Sequence, residues 1–410
     1  MDQAEAKPAP VAARRGLMVV FAIMLLDIMG IAIIMPVLPT FLQELTGDQA
    51  AQAALDGGWL LFVYASMQFL FAPTVGNLSD RFGRRPVLLV SVLTFALDNL
   101  ICALAGSYWV LFVGRVLAGI SGASFSTASA FIADVSDDRT RARNFGLIGI
   151  AFGVGFTLGP VIGGLLGSFG PRVPFFGAAA LSFANFCAAY FLLPETLPPH
   201  LRRAFDWRRA NPLGAIRQMR SYPRILPVLA VFFLVYQAHA VYPAVWPFVT
   251  SYRYGWSEGQ IGLSLGVYGI CTALTMALIL PRIIAGIGER RTAALGLIVG
   301  VIALMGYAFA WEGWMVYLVI LATPLEAVAD PPLRSLAAAQ VPPSAQGELQ
   351  GALSGLSSLT SIIGPLMFAS VFELGTRTDL PWSTPGAPYA LAATLVAVAF
   401  VVFLRRVGLR

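Results

Sequence analysis

Asp27, Asp98, Arg115, His239, Glu326 and Asp330 all fall inside long apolar runs of this chain. A charge at the centre of a membrane helix costs from about 2.5 kcal/mol upward, so each needs a partner or a polar cavity. A carboxylate held away from bulk water suits reversible protonation. Asp27, halfway along the first apolar run, is the leading candidate for that role. Asp98 and Arg115, in the third and fourth runs, could pair. Glu326, Asp330 and Arg334 are spaced four apart, as on one helical face, although Pro324, Pro331 and Pro332 must distort that helix. Asp330 and Arg334 are expected to neutralise each other, leaving Glu326 as the freer acid for proton coupling or cation recognition. His239 could share a proton with one of these acids. Gln68, Asn99, Tyr236, Gln237, Tyr242, Trp246 and Tyr268 are candidates for lining a cavity. The plainer reading of each aromatic is helix packing or an interfacial position.

Two further patterns carry structural chemistry. Residues 76–86, Gly-Asn-Leu-Ser-Asp-Arg-Phe-Gly-Arg-Arg-Pro, form a charged segment between two apolar runs and read as a short aqueous loop. Gly83 permits a tight turn there. Asp80 can accept hydrogen bonds or cap a nearby helix N-terminus, and Arg81, Arg84 and Arg85 can pair with Asp134, Asp137 or Asp138. The second pattern is a glycine stripe. Gly155, Gly159 and Gly163 share one helical face, as do Gly149 and Gly153; Gly164 and Pro160 complete the set. Small residues in such a stripe let a neighbouring helix approach closely, and Pro160 should bend the helix.

The elements that must position these residues follow from composition. The chain is 58% hydrophobic and 12% charged, far from the usual soluble balance. Apolar runs long enough to cross a hydrocarbon core as helices recur throughout. They lack the alternation of barrel strands, so a helical bundle is expected. Twelve spans are read near 16–39, 58–75, 86–105, 108–133, 144–167, 174–193, 224–250, 259–281, 292–311, 314–338, 349–372 and 387–404. The side holding both termini and the even-numbered loops collects 21 of the 27 Lys and Arg residues, which makes it cytoplasmic by the positive-inside rule. The resulting plan is a tail at 1–15, six spans at 16–193, a cytoplasmic linker at 194–223, six spans at 224–404 and a tail at 405–410. An offset of 205 relates Gly83 to Gly288, Gly146 to Gly351, and Gly159-Pro160 to Gly364-Pro365. Two halves repeated in parallel are a transporter arrangement, with a substrate site near the midplane.

Composition also excludes classes. The net charge of +6 sits in loops between spans, which argues against nucleic acid. Cys102, Cys187 and Cys271 all fall within spans and read as buried small hydrophobes, so no disulfide or metal site is expected. No cofactor is implied. Polar residues 1–15 and the Asp in the first apolar run argue against a cleaved leader.

The segment from Gly76 to Arg85 resembles the loop signature of the major facilitator superfamily, and the likeness extends over about residues 16–404. The run Gly149 to Gly164 resembles the span-5 signature of its drug/proton antiporters. Leu26 to Pro39 is similar to the first span of the twelve-span tetracycline-efflux group, and Arg115-Val-Leu-Ala-Gly119 to the span-4 motif with its buried arginine. The resemblance implies an all-α membrane fold of two pseudo-symmetric six-helix bundles. It implies a conformational latch at Gly76, Asp80, Arg81, Gly83, Arg84, Arg85 and Asp134, and proton coupling assisted by Arg115. The tetracycline group carries functional His and Asp residues in spans 8 and 9; here those places hold Thr272 and Gly300. The reading is a monomeric proton-coupled exporter of small amphiphilic compounds, including tetracycline-like drugs, in the cytoplasmic membrane. Its partners are the substrate, protons and the bilayer. A proton-coupled importer of a metabolite is the nearest alternative. An intramembrane enzyme finds poor material in His200 and His239, and no loop is large enough for the output domain of a sensor.

Overall fold

The computed structural model describes residues 10–137, 139–205, 222, 225–342, 345–377 and 384–408, and all regular structure among them is helical. Asp138 and most of the linker, including Arg208, Arg209, Arg217 and Arg220, lie outside the described residues. Among the described residues, twelve helices are long and apolar enough to cross a membrane. Spans 1 to 6 are Arg15–Thr46, Ala50–Phe82, Arg84–Ala103, Tyr108–Asp134, Arg143–Gly167 and Val173–Leu192. Spans 7 to 12 are Leu226–Tyr254, Glu258–Ile287, Glu289–Phe309, Gly313–Ala338, Gln346–Thr376 and Ala387–Arg406.

Several helices outrun the apolar runs that announce them. Span 2 continues to Phe82, so residues 76–82 are helix and not the loop expected from their charge. Leaving hydrocarbon does not end a helix, because a polar residue still makes its backbone bonds. Gly83 ends it: with φ +103° it turns the chain alone, and span 3 starts at Arg84. Gly288, its repeat partner, adopts a similar backbone (φ +80°, ψ 166°) between spans 8 and 9. Span 12 likewise reaches Arg406, inside the segment read as a tail.

Prolines mark other irregularities. Pro243 has no N–H to offer the carbonyl of His239, and span 7 is interrupted at Ala240. In span 10 the stretch Thr323–Ala329 is a 3₁₀ helix, and Asp330–Ala338 resumes the α form. Pro331 and Pro332 cannot donate to the turn before them, which accounts for the tighter winding. Glu326 sits in that stretch.

Packing divides the chain into two units, one of Met1–Met35 and Val63–Asn211, the other of Pro36–Phe62 and Pro212–Arg410. The core of the first unit gathers Val20, Ile23, Ile28, Leu88, Val92 and Phe131. That of the second contains Phe232, Phe248, Phe368, Phe372 and Tyr389, all fully buried. The second unit takes in the end of span 1 and the start of span 2, where Gly57 abuts Phe248 and Gly58 abuts Ala369. The repeat appears in each unit by itself. Gly159 of span 5 packs on Ala32 of span 1, and Gly364 of span 11 packs on Ala240 of span 7.

Candidate functional site

In the second unit, span 10 and the break in span 7 build one polar cluster. Tyr242 donates its hydroxyl to Glu326 Oε1 at 3.1 Å, and His239 Nε2 lies 3.6 Å from the same oxygen. Glu326 is buried, and its Oε2 has no hydrogen-bond partner among the described residues. Among the described residues no Lys or Arg forms an ion pair with Glu326. Asp330 is different. Arg334 Nε meets its Oδ2 at 2.6 Å, and Tyr236 bridges the pair by accepting from Arg334 at 2.7 Å and donating to Asp330 Oδ1 at 3.5 Å. The expected neutralisation of Asp330 is therefore present, and Glu326 is left without a guanidinium.

Beside Glu326 lies a small cavity lined by Tyr242, Trp246, Leu265, Tyr268, Tyr307 and Ile320. Trp246 Nε1 donates to Ser264 Oγ, and the Tyr307 hydroxyl meets Thr323 Oγ1 at 2.6 Å. Tyr389 packs behind this box against Trp246 and Tyr307. A Cβ added at Gly300 would come 3.4 Å from Glu326 Oε2, so the carboxylate of span 10 stands beside the bare position in span 9. Gln237 is buried against Met367, away from the residues lining the cavity.

In the first unit, Arg115 Nη2 meets Asp98 Oδ2 at 2.7 Å, and Asp98 is fully buried. Cys102 Sγ lies 3.5 Å from Asp98 Oδ1 and accepts from Arg115 at 3.4 Å. Gly114 makes the pair possible, since a Cβ there would come 2.9 Å from Asp98 Oδ1. Tyr64 lies within electrostatic reach of Arg115, Asp98 and Asp27. Gln68 reaches the Tyr64 hydroxyl and the carbonyl of Gly122. Asp27 is half-buried, its Oδ1 enclosed without a hydrogen-bond partner among the described residues. Asn99 is buried; its amide donates to the Phe95 carbonyl, and among the described residues its Oδ1 meets no hydrogen-bond partner.

The charged signature forms a compact network at the turn between spans 2 and 3. Arg84 Nη1 binds Asp80 and Ser79, each at 2.6 Å, and its Nε meets Asp134 at 3.2 Å. Asp80 does not cap a helix, as its composition suggested. Glu195 does, accepting from the backbone N–H groups of Arg84 and Arg85, where the helix N-terminus favours negative charge. Thr196 joins by donating to Asp134. Arg85 reaches the Tyr190 carbonyl, and exposed Arg81 lies over the Phe82 ring. Gly76 accepts from the Ser79 hydroxyl.

The glycine stripe splits. Gly155, Gly159 and Gly163 receive span 1, at Ile28, Ala32 and Ile33. Positions 149 and 153 have nothing within 4 Å of an added Cβ, so the second expected face is not a packing face. Pro160 is buried within a helix that runs unbroken from Arg141 to Gly167.

Sequence reasoning missed Tyr64, Glu195, Tyr307 and Tyr389. Tyr307 is seven residues beyond Gly300, on the same helical face, and that register was a usable signal. Glu195 directly follows the sixth apolar run but was absorbed into the linker.

The family model described as the Major Facilitator Superfamily matches residues 20–365 and 228–408. The chain is 38% identical over 375 residues to the tetracycline resistance protein, class C, of Escherichia coli, covering 91% of this chain and 94% of that one. It is also 38% identical to the class B protein of Escherichia coli, over 87% of this chain and 88% of that one. The crystal structure of the human organic anion transporter MFSD10 (TETRAN) superimposes with a TM-score of 0.70 at 25% identity, over 95% of this chain and 99% of the other. These are transporters and not enzymes. The chain belongs to the major facilitator superfamily, with the twelve-span tetracycline-efflux group of drug/proton antiporters.

Proposed function

We propose that this protein exports small amphiphilic compounds in exchange for protons by alternating access, with Asp27 and Glu326 as the proton-carrying acids. The observation that supports it most is the contrast among the intramembrane carboxylates. Asp98 and Asp330 each face an arginine at hydrogen-bonding distance. Among the described residues, Asp27 and Glu326 each keep a buried oxygen without a hydrogen-bond partner. A carboxylate without a fixed cation can meet its charge with a proton in one state and with a substrate in another. Opposed binding of the two ligands couples them, because each biases a shared equilibrium. His239 stands ready to share the Glu326 proton.

The reading includes a monomer in the cytoplasmic membrane with both termini cytoplasmic, as the charge split argues. The Asp80–Arg84–Asp134 network, extended by Glu195, serves as a latch favouring one conformation. The glycine stripe holds span 5 against span 1. Tetracycline-like drugs are candidate substrates by relationship, while Thr272 and Gly300 replace the acid-base pair that the resemblance implies. The test begins with a susceptibility panel in an efflux-deficient bacterial host. Everted vesicles then report proton movement when a protected compound is added. Wild type should protect and exchange, and Asp27→Asn and Glu326→Gln should each lose coupled export at equal expression. Export with undiminished proton exchange in the double variant would sink the assignment.

A further inference from the structure

Spans 9 and 12 pack along each other in the second unit. Arg290 Nη1, at the start of span 9, donates to the carbonyl of Val407, just past the end of span 12, at 3.3 Å. Arg290 and Arg291 thus stand at the same membrane surface as Arg405 and Arg406, with Glu289 as the one acid in the two helix ends. Arg291, Arg405 and Arg406 are exposed, and among the described residues none of them forms an ion pair. The repeat sharpens the contrast. In the first unit Asp80 and Asp134 neutralise Arg84. Their partners at the offset of 205 are Ala285 and Ala339, and Arg291 takes the place of Pro86. The second unit holds an excess of positive charge where the first holds a closed network.

A charge that only sets topology can stand anywhere in the flanking segment. Two of these arginines instead head apolar stripes. The exposed residues of span 9 beyond Arg291 are Ile298, Ile302 and Phe309, at successive spacings of 7, 4 and 7, so they share its helical face. On span 12, Thr394, Val398, Val401 and Arg405 are exposed at spacings of 4, 3 and 4. An added Cβ at Gly300 would meet Glu326 and Val396, and each stripe lies on the side of its helix opposite Gly300 or Val396. Both therefore face away from the polar cluster, toward lipid. Arg291 to Ile302 and Thr394 to Arg405 each span about 16 Å of helix, close to half of a hydrocarbon core roughly 30 Å thick. A guanidinium at the surface with one leaflet's depth of aliphatic side chain beneath it is the outline of an anionic lipid. Its planar fork matches a phosphate, and basic pockets between membrane helices suit such head groups.

We propose that the lipid-facing wall of spans 9 and 12 is a binding site for an anionic phospholipid. Arg291 and Arg405 hold the phosphate, with Arg290 and Arg406 beside them, and the acyl chains lie along Ile298–Ile302 and Val398–Val401. A zwitterionic head group brings its own cation, which the arginines repel. The site is independent of the exporter reading, and its test does not need transport.

The purified full-length protein in detergent is titrated with dioleoylphosphatidylglycerol and with dioleoylphosphatidylcholine, which share their chains and differ in head-group charge. Bound lipid is counted by native mass spectrometry. Phosphatidylglycerol should bind roughly tenfold tighter or more. Each arginine near an anionic head group is worth roughly a fivefold gain in binding, so Arg291→Gln and Arg405→Gln should each lose about that much and the double variant more. Both side chains are exposed, so these variants should keep the melting temperature of the lipid-free protein. Arg291→Lys keeps the charge and should retain more binding than Arg291→Gln. Arg282, whose guanidinium folds back on the Leu278 carbonyl of its own span, is the comparison; Arg282→Gln should change lipid binding little. Dihexanoylphosphatidylglycerol and inorganic phosphate, which cannot cover the stripes, should displace the long-chain lipid poorly. Equal affinity for the two dioleoyl lipids would overturn the proposal. So would a double variant that binds like wild type, or a loss in Arg282→Gln as large as in Arg291→Gln, which would mean diffuse charge. Displacement by inorganic phosphate would reduce the site to one for small anions, and protein dimers joined through this wall without lipid would assign it to a second copy of the chain; either result refutes the lipid.

Discussion

At the scale of the residue, a buried acid is defined by what stands opposite it. Asp98 has Arg115 at 2.7 Å, and both are enclosed between spans 3 and 4. Removing one partner of such a pair leaves an uncompensated charge and costs about 3–5 kcal/mol, whereas removing both is far milder. Arg115→Gln should therefore lower thermal stability in detergent sharply. Adding Asp98→Asn should restore most of the loss, and a double variant as unstable as the single one would refute a pairwise account. Asp330 is less exacting, because its partner Arg334 is exposed. The pairing of Asp330 with Arg334 was legible from charge and spacing along the sequence, whereas for Asp98 and Arg115 the sequence offered two opposite charges on different spans and no sign of contact. The environment of Glu326 was legible only in part. Its freedom from Arg334 could be read, but the bond from Tyr242 depends on how spans 7 and 10 meet, and no periodicity in either span encodes that.

At the scale of the element, helices are shaped by residues that break their rules. Pro243 and the Pro331-Pro332 pair interrupt spans 7 and 10 where His239, Tyr242 and Glu326 must converge. Span 5 shows how far a face can be inferred. The spacing of its glycines identified two faces, and only the one holding Gly155, Gly159 and Gly163 receives span 1. A Cβ at Gly159 would come 2.7 Å from that of Ala32 and 3.1 Å from the Met29 carbonyl oxygen, and neither can yield without moving a helix. Gly159→Leu should cost about 1–3 kcal/mol through overpacking. Gly153→Leu, which meets open space, should leave the melting temperature in detergent nearly unchanged. Equal melting temperatures for the two variants would show that the stripe does not pack as described.

For the whole molecule, the 205-residue repeat is visible in three dimensions within each unit. Gly83 and Gly288 turn the chain with similar backbone angles, and Gly159 and Gly364 meet alanines of spans 1 and 7. Among the described residues, each unit also has a carboxylate in a span with a buried oxygen that meets no hydrogen-bond partner, Asp27 in the first and Glu326 in the second. If both take part in proton exchange, uphill export depends on the proton gradient as a whole. Collapsing ΔpH with nigericin and voltage with valinomycin should reduce accumulation in vesicles to simple equilibration. Accumulation that persists at its original level would exclude proton coupling.

The amino-acid order by itself determined the twelve spans, the tight turn at Gly83 and the in-helix partner of Asp330. These depend on local quantities: the length of an apolar run against the bilayer, the backbone freedom of one residue, the distance between positions four apart. The tertiary structure alone decided that Glu195 caps span 3, that one glycine face is filled and the other empty, and that four aromatic rings close on a space beside Glu326. Lipid and protein interior are both apolar, so an aromatic facing either one looks the same along the chain. Only the approach of a second helix distinguishes them.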